Sequence, residues 1–454
     1  MHIIVAGGGL AGLTAALRAV ELGARVTLLE KGDHPGGSFI YSSGYIWSYK
    51  DLRTFRREAP SGDAALQKLV LERIEACLEW LEGLGIPALT RETGNPLTFG
   101  ARFNPEQTVT TLAYRLTISG GRILMGAALD GLVEGPQGRI GGVRAVRVAS
   151  GEKRPESADA VILATGGFAG NPDLVEHYII RGPGRMRLRA HPWSTGDGFL
   201  AALEAGALAS AGLDEFYGRN LPAPPASFTP EEFVEVSQLY GRYAVAINGN
   251  GERYADEAAD WSETSLTWAT VRQPSLRAWY LLDATGLRGR VRDRTVEEMV
   301  ETAQRVGGTV LQSESLEGLA HRLAERGVPR TNVLRALSEY NTAVAAGRGG
   351  DLSPPRSDPA TPVRVPPFVA VEVAPTITHT IGGLAVDEGC RVLRGTDARP
   401  LPGLYAAGVE VGGVSVGGYT SGLAAALVFG RVAAESVAEN CGVPASGRWI
   451  QREQ

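Results

Sequence analysis

A chain of 454 residues is longer than one compact core usually holds, so two domains of unequal size are expected. A net charge of -5, with 44% hydrophobic and 21% charged residues, describes a globular protein and argues against nucleic acid as the main partner. The three cysteines, Cys77, Cys390 and Cys441, are widely spaced and form no CxxC or metal-type pattern, which excludes haem, an iron–sulfur cluster and a disulfide framework, and no metal site is expected.

The chain opens on His2-Ile3-Ile4-Val5-Ala6, a short apolar run of the kind a buried parallel strand shows. No signal peptide is therefore expected, no apolar run approaches a membrane span, and a cytoplasmic protein is the expectation. Gly7-Gly8-Gly9-Leu10-Ala11-Gly12 follows; residues 13–22 then read as an Ala/Leu-rich helix and 24–30 as a second strand. Each glycine of this frame has a physical task. Gly7 permits the tight turn, Gly9 lets backbone approach a pyrophosphate, and Gly12 lets the helix pack closely on the strand. The helix N-terminus, at Leu10 and Ala11, offers N–H groups and a partial positive charge to phosphates. Glu30 ends the second strand about 20 residues beyond the glycines, where an acid bonds ribose hydroxyls. Strand, helix, second strand and terminal acid in register predict a Rossmann-type dinucleotide site.

An NAD site would be completed by further βαβ repeats directly behind this unit. Instead Lys31, the Gly36-Gly37-Ser38 turn and the Ser43-Gly44 step follow. Farther on stand Ala164-Thr165-Gly166-Gly167-Phe168, Thr195-Gly196-Asp197-Gly198, and Asn248-Gly249-Asn250-Gly251-Glu252-Arg253-Tyr254-Ala255-Asp256-Glu257. His379-Thr380-Ile381-Gly382-Gly383 and Leu404-Tyr405-Ala406-Ala407-Gly408 come last, before a helix predicted over 422–439. In this order the segments resemble the flavoprotein family of fumarate reductase, succinate dehydrogenase, tricarballylate dehydrogenase and 3-ketosteroid Δ1-dehydrogenase. The resemblance spans nearly the whole chain.

It implies an α/β fold, a Rossmann-type FAD-binding domain with an inserted α+β cap domain. The FAD-binding domain is expected over 1–212 and 356–454, and the cap (substrate) domain over 213–355, with helical patterns at 296–306 and 316–345. Only one complete dinucleotide finger is present, so no NADPH-binding domain is expected. Relatives that attach FAD covalently carry a histidine in the stretch after the second strand; residues 36–49 contain none, and non-covalent FAD is expected. The finger, Glu30 and Lys31, Gly36 to Ser38, Ser43, Gly44, Thr165, Gly166, Asp197, Gly408, Gly422 and Leu423 are implied at the cofactor. A helix N-terminus at Gly422 would stabilise the negative charge of reduced flavin. Val409 stands where many relatives have a flavin-side Glu, and Glu410 comes one residue late to reach the ribityl chain.

The implied chemistry is hydride transfer between flavin N5 and a CH–CH or C=C bond beside a carboxylate or carbonyl, with a side chain moving the proton. His379 matches the family's carboxylate-binding histidine, or stabilises its turn. Tyr419 falls near the fumarate reductases' arginine and resembles a ketosteroid-dehydrogenase tyrosine; it is a base or hydrogen-bond donor, or packs on the flavin edge. Arg288 stands one residue out of register for the fumarate reductase acid, with Arg290 and Arg292 competing, and is otherwise a cap-surface arginine. Tyr217 and Arg219 occupy the place of a carboxylate-binding histidine, or simply enter the cap. Glu257 bonds substrate or orients an arginine, or makes a structural salt bridge. Trp261 replaces the tyrosine that ketosteroid enzymes carry four residues after the signature acid, and 256–260 with Gln273-Pro274 look more like tricarballylate dehydrogenase. The alternatives are an enzyme for a bulky apolar ketone, its pocket lined by Tyr45, Trp47 and Tyr217, and a flavin-binding electron-transfer subunit. Partners would be a small-molecule substrate and an unidentified electron donor or acceptor.

Overall fold

The computed structural model describes residues 1–180, 186–261, 263–358 and 360–443. It forms two compact units. The first holds Met1–Ile179, Ala190–Phe216 and His379–Gln454; the second holds Ile180–Arg189 and Tyr217–Thr378.

In the first unit, β1 (His2–Ala6) is central because its apolar residues are buried on both faces. It pairs in parallel with β2 (Arg25–Glu30) on one side and with Ala160–Leu163 on the other. The strand Arg122–Met125 extends the sheet beyond β2 in parallel, and Pro400–Ala406 extends it beyond Ala160–Leu163. An antiparallel edge, Arg391–Leu393, completes six strands. The helix α1 (Leu10–Glu21) connects β1 to β2 and lies on the last described helix, Gly422–Asn440. There is no room for a side chain between these helices at Gly430, where a Cβ would stand 2.6 Å from the Ala11 carbonyl. Arg18 Nε binds Glu435 Oε1 at 2.9 Å across the same contact. Cys77, on the helix Ala64–Gly83, is buried core.

The second unit is built on residues 368–378 of the 13-residue strand Phe368–Thr380. It pairs with Ala278–Leu282 and Val310–Ser313 antiparallel, and with Arg187–Leu188 in parallel; Val245–Asn248 lies beyond Ala278–Leu282. Strand alternation divides the apolar residues between two cores. Val369, Val371 and Val373 join Tyr280 and Leu282 on one face, while Phe368 and Ala370 join Trp279 and Leu281 on the other. This unit runs past 355 to Thr378 because its main strand lies there, and takes in 180–189 through the Arg187–Leu188 pairing. The predicted helix over 316–345 is two helices, Leu316–Ala324 and Arg330–Ala345. Gly327, at φ +85°, and Pro329 break it, overriding an apolar spacing that reads continuously. The helix Val296–Arg305 begins in a capping box between Thr295 and Glu298.

Candidate functional site

The dinucleotide finger is shaped by backbone contacts that exclude side chains. Gly7 sits at φ +105°, and a Cβ there would run into the Ala164 carbonyl. A Cβ on Gly12 would strike the Gly7 carbonyl. At Gly9, the N-cap of α1, a Cβ would meet only the Gly36 carbonyl, at 3.9 Å, so the finger is open on that side. Gly36 donates to the Gly8 carbonyl at 2.8 Å, and Gly37, at φ +52°, lies against Gly9. Ser38 Oγ accepts from the His191 amide at 3.0 Å, and the Ser43 carbonyl from Arg102 Nε at 3.0 Å. The Glu30 carboxylate is buried and accepts from the amides of Gly8 and Gly32, both at 2.7 Å. Each oxygen keeps a second lone pair for a ribose hydroxyl.

Lys31 and Asp197 engage each other: Lys31 Nζ lies 2.9 Å from Asp197 Oδ2 and 2.7 Å from Thr195 Oγ1. Thr165, at the end of Ala160–Leu163, donates to Glu410 Oε1 and accepts from the Gly198 amide at 3.0 Å. Gly408 abuts Ala11, whose Cβ would be 2.7 Å from a Cβ added at Gly408. These groups ring the carboxyl ends of the parallel strands, where open α/β sheets bind their ligands. Several buried polar atoms of this unit have no hydrogen-bond partner among the described residues: Glu410 Oε2, Thr380 Oγ1, Thr420 Oγ1 and Ser48 Oγ. An open glycine cradle at a helix N-terminus, an acid at the ribose position and buried groups awaiting polar partners fit FAD.

A second group gathers at the start of Gly422–Asn440, which Ser421 caps through the Ala424 amide at 3.3 Å. The His379 ring lies on Gly422, where a Cβ would stand 2.7 Å from Nε2. His379 Nδ1 is 3.0 Å from the Thr380 carbonyl, which can only accept, so Nδ1 carries the hydrogen. Burial lowers the pKa of this histidine, against the opposing pull of the Thr380 carbonyl, and favours the neutral ring. The Tyr419 ring is 6.1 Å from that of His379 and 5.8 Å from that of Trp47. The Tyr419 carbonyl accepts from Tyr49 Oη at 2.7 Å. His379, Tyr419 and Gly422 are thus brought together, with Trp47 and Tyr49 beside them. The Tyr45 carbonyl accepts from Ser421 Oγ at 3.4 Å at the same cap, while its ring lies 5.4 Å from the Arg102 guanidinium.

The remaining candidates belong to the second unit. Arg219 is buried, with its guanidinium 5.0 Å from the Tyr217 ring and its carbonyl accepting from Thr376 Oγ1 at 2.8 Å. Glu257 is held entirely by structural partners. Arg253 grips it with Nε at 3.0 Å and Nη2 at 2.7 Å, Arg356 Nη1 adds 2.9 Å, and the Ala246 amide adds 3.1 Å. Arg288 follows the short helix Ala284–Leu287 and is exposed, as are Arg290 and Arg292. One group escaped sequence reasoning. Glu263 adopts φ +54°, a left-handed conformation uncommon outside glycine, and accepts from the Gly241 amide at 2.9 Å. Burial lifts its carboxyl to about 7, against the pull of Arg219 and of that hydrogen bond. Neither its backbone angle nor its neighbours have a sequence signal.

Among the described residues no helix is long and apolar enough to cross a membrane, and no group of His, Cys, Asp or Glu could hold a metal ion. The FAD binding domain family matches residues 2–427. A probable fumarate reductase, Ifc3, of Shewanella frigidimarina (strain NCIMB 400) is 26% identical over 476 residues, covering 97% of this chain and 75% of that protein. A vinyl phenol reductase of Lactiplantibacillus plantarum is 26% identical over 456 residues, covering 91% of this chain and 90% of that one. Among solved structures, 3-ketosteroid Δ1-dehydrogenase from Sterolibacterium denitrificans has the same fold, with a TM-score of 0.76 at 19% identity over 96% of this chain and 99% of that one. With the finger, the cradle beside it and a family match over almost its full length, the chain belongs to the FAD binding domain family and is an FAD-binding oxidoreductase.

Proposed function

We propose that the protein catalyses hydride transfer to or from a carbon–carbon bond conjugated to a carboxylate or carbonyl, using non-covalently bound FAD and an electron partner yet to be identified. Bound FAD would supply the hydride chemistry at its N5. The observation that carries this reading is the convergence of His379 and Tyr419 on the N-terminus of Gly422–Asn440. A helix N-terminus favours negative charge, such as develops on a carboxylate or on a polarised carbonyl oxygen. The Tyr419 phenol is a hydrogen-bond donor and a proton carrier on the same side. His379, with its Nδ1 hydrogen committed to Thr380, presents Nε2 to Gly422. The relatives' names support a conjugated alkene, since they include reductases of fumarate and of vinyl phenol. Tyr217 and Arg219 are retained as substrate-binding candidates in the second unit, while Glu257 is assigned to its stability. A cytoplasmic setting suits three cysteines that form no disulfide.

The aromatic surround favours a second reading. Trp47 and Tyr49 adjoin Tyr419 and would suit a bulky apolar ketone. Anaerobic mixing of the FAD-loaded protein with a panel of unsaturated acids, their saturated counterparts and cyclic enones decides between them. An acid that bleaches the flavin, or an unsaturated acid that reoxidises it, supports the first reading; response to cyclic ketones alone supports the second. Silence toward every small molecule, with bleaching by a partner protein, would identify an electron-transfer subunit instead. Tyr419→Phe is expected to slow flavin reduction about 100-fold without releasing FAD, and an unchanged rate removes Tyr419 from the chemistry.

A further inference from the structure

Trp193 stands in the loop that leads into the helix Asp197–Glu204 and is 41% exposed. Tryptophan ordinarily buries most of its large apolar ring, so an indole held at the surface leaves apolar area for a partner. The loop that carries it is fixed on both sides. The His191 amide donates to Ser38 Oγ at 3.0 Å, the Gly170 amide to the Ser194 carbonyl at 2.8 Å, and Asn171 Nδ2 to the Thr195 carbonyl at 3.1 Å. Lys31 Nζ, tethered to Asp197 and Thr195, lies 5.4 Å from the centroid of the indole. The ring is therefore set in place before any ligand arrives.

Its position relative to Glu30 gives this ring a use. Gly32 is buried and lies outside the left-handed region, so backbone conformation does not call for glycine there; space does. A Cβ on Gly32 would stand 3.2 Å from Glu30 Oε1, and 3.3 Å and 3.4 Å from Trp193 Cδ1 and Nε1. The indole edge and the carboxylate oxygen thus flank a single backbone position. In a nucleoside the base is bonded directly to the ribose. A base whose sugar hydroxyls meet Glu30 is consequently within reach of an indole this close, and purines stack on such faces whatever their substituents.

We propose that Trp193 is a stacking platform for the adenine ring of FAD, and that Gly32 is kept free of a side chain so that a ribosyl base fits beside both the indole and Glu30. The inference rests on FAD occupying the dinucleotide finger and is independent of the reaction performed there. Its consequence is selectivity. FAD and free adenine nucleotides share the contact, whereas FMN, which has no adenosine, does not.

The test is the rate of FAD release from the holoprotein, read as the fluorescence of free FAD after dilution. Trp193→Ala is expected to release FAD about 5- to 150-fold faster, the range that stacking of one base on one aromatic ring supplies. Trp193→Phe keeps an aromatic face and should stay within about fivefold of wild type. Gly32→Ala sets a methyl group between the carboxylate and the indole and should also accelerate release. Excess ADP during dilution should block recapture of FAD by wild type and Trp193→Phe at concentrations that leave Trp193→Ala unaffected, while FMN acts equally on all three. A Trp193→Ala protein that holds FAD as firmly as wild type would overturn the proposal, as would Trp193→Phe releasing as fast as Trp193→Ala, or ADP competing equally with both. If Trp193→Ala does not fold, Gly32→Ala carries the same test, and wild-type retention of FAD by that variant overturns the proposal. A holoprotein that reacts with no small molecule would sink only the proposed reaction and leave this measurement intact. A wild-type protein that holds no flavin at all would overturn both.

Discussion

Glu257 in the second unit and Glu410 in the first are both fully buried carboxyls with opposite surroundings. Glu257 lies between two guanidiniums and a backbone amide, so every lone-pair direction that matters is met by a positive donor. Glu410 has a hydroxyl, an amide and a neighbouring acid, and one oxygen with no partner among the described residues. The difference separates two uses of a buried acid. One closes a local ion network and is complete without a ligand. The other keeps one carboxyl oxygen without a hydrogen-bond partner among the described residues.

Replacing either acid tests that distinction, and the largest effect is expected at Glu257. Glu257→Gln leaves Arg253 and Arg356 buried without their counter-charge and should destabilise the fold by about 3–5 kcal/mol, read in thermal or denaturant unfolding. Glu410→Gln in the same assay should change stability by less than about 1 kcal/mol. Equal losses would erase the contrast. A smaller effect is expected at the junction of His379 and the last helix. Gly422→Ala puts a methyl group where His379 Nε2 is 2.7 Å away, so the ring must shift. Flavin reduction should slow about 10- to 100-fold while FAD stays bound, and an unaltered rate would show that the position of the ring is unimportant.

Glu263 is a third acid, with intermediate character. Its folded carboxyl titrates at about 7 against an ordinary 4.5. Below 4.5 both folded and unfolded chains hold the proton and nothing is lost. Between 4.5 and 7 the unfolded chain alone ionises, so stability falls as pH rises, and above 7 the loss is constant. With allowance for its partial exposure, the loss is about 2 kcal/mol. Glu263→Gln should flatten this part of the stability–pH curve, and a slope that persists would assign the dependence to another group.

What was legible in the chain follows the distance over which the physics acts. The finger is local: β1, Gly7, Gly9, Gly12, α1 and Glu30 lie within thirty residues, and each glycine answers a contact set by backbone geometry alone. The break at Gly327 and Pro329 is equally local, yet the continuous apolar spacing around it concealed two helices. The ordered motifs reveal the family, while roles within it depend on neighbours brought from afar. In the sequence Glu257 reads equally as a functional acid or a structural salt bridge, and Arg356, 99 residues away, is one of the cations that closes its network. Glu410 reads as out of register until Thr165, 245 residues earlier, meets its carboxyl.

By itself, then, the sequence determined the dinucleotide finger, the family order of glycine turns and the identity of the groups available for chemistry. These depend on covalent spacing and on the steric limits of short segments. Tertiary structure alone decided which acid is paired and which is not, placed His379 and Tyr419 at one helix N-terminus, and gave Glu263 its shifted titration. A group's charge state and partners are properties of the surroundings that folding builds around it, and residues remote in the chain supply them.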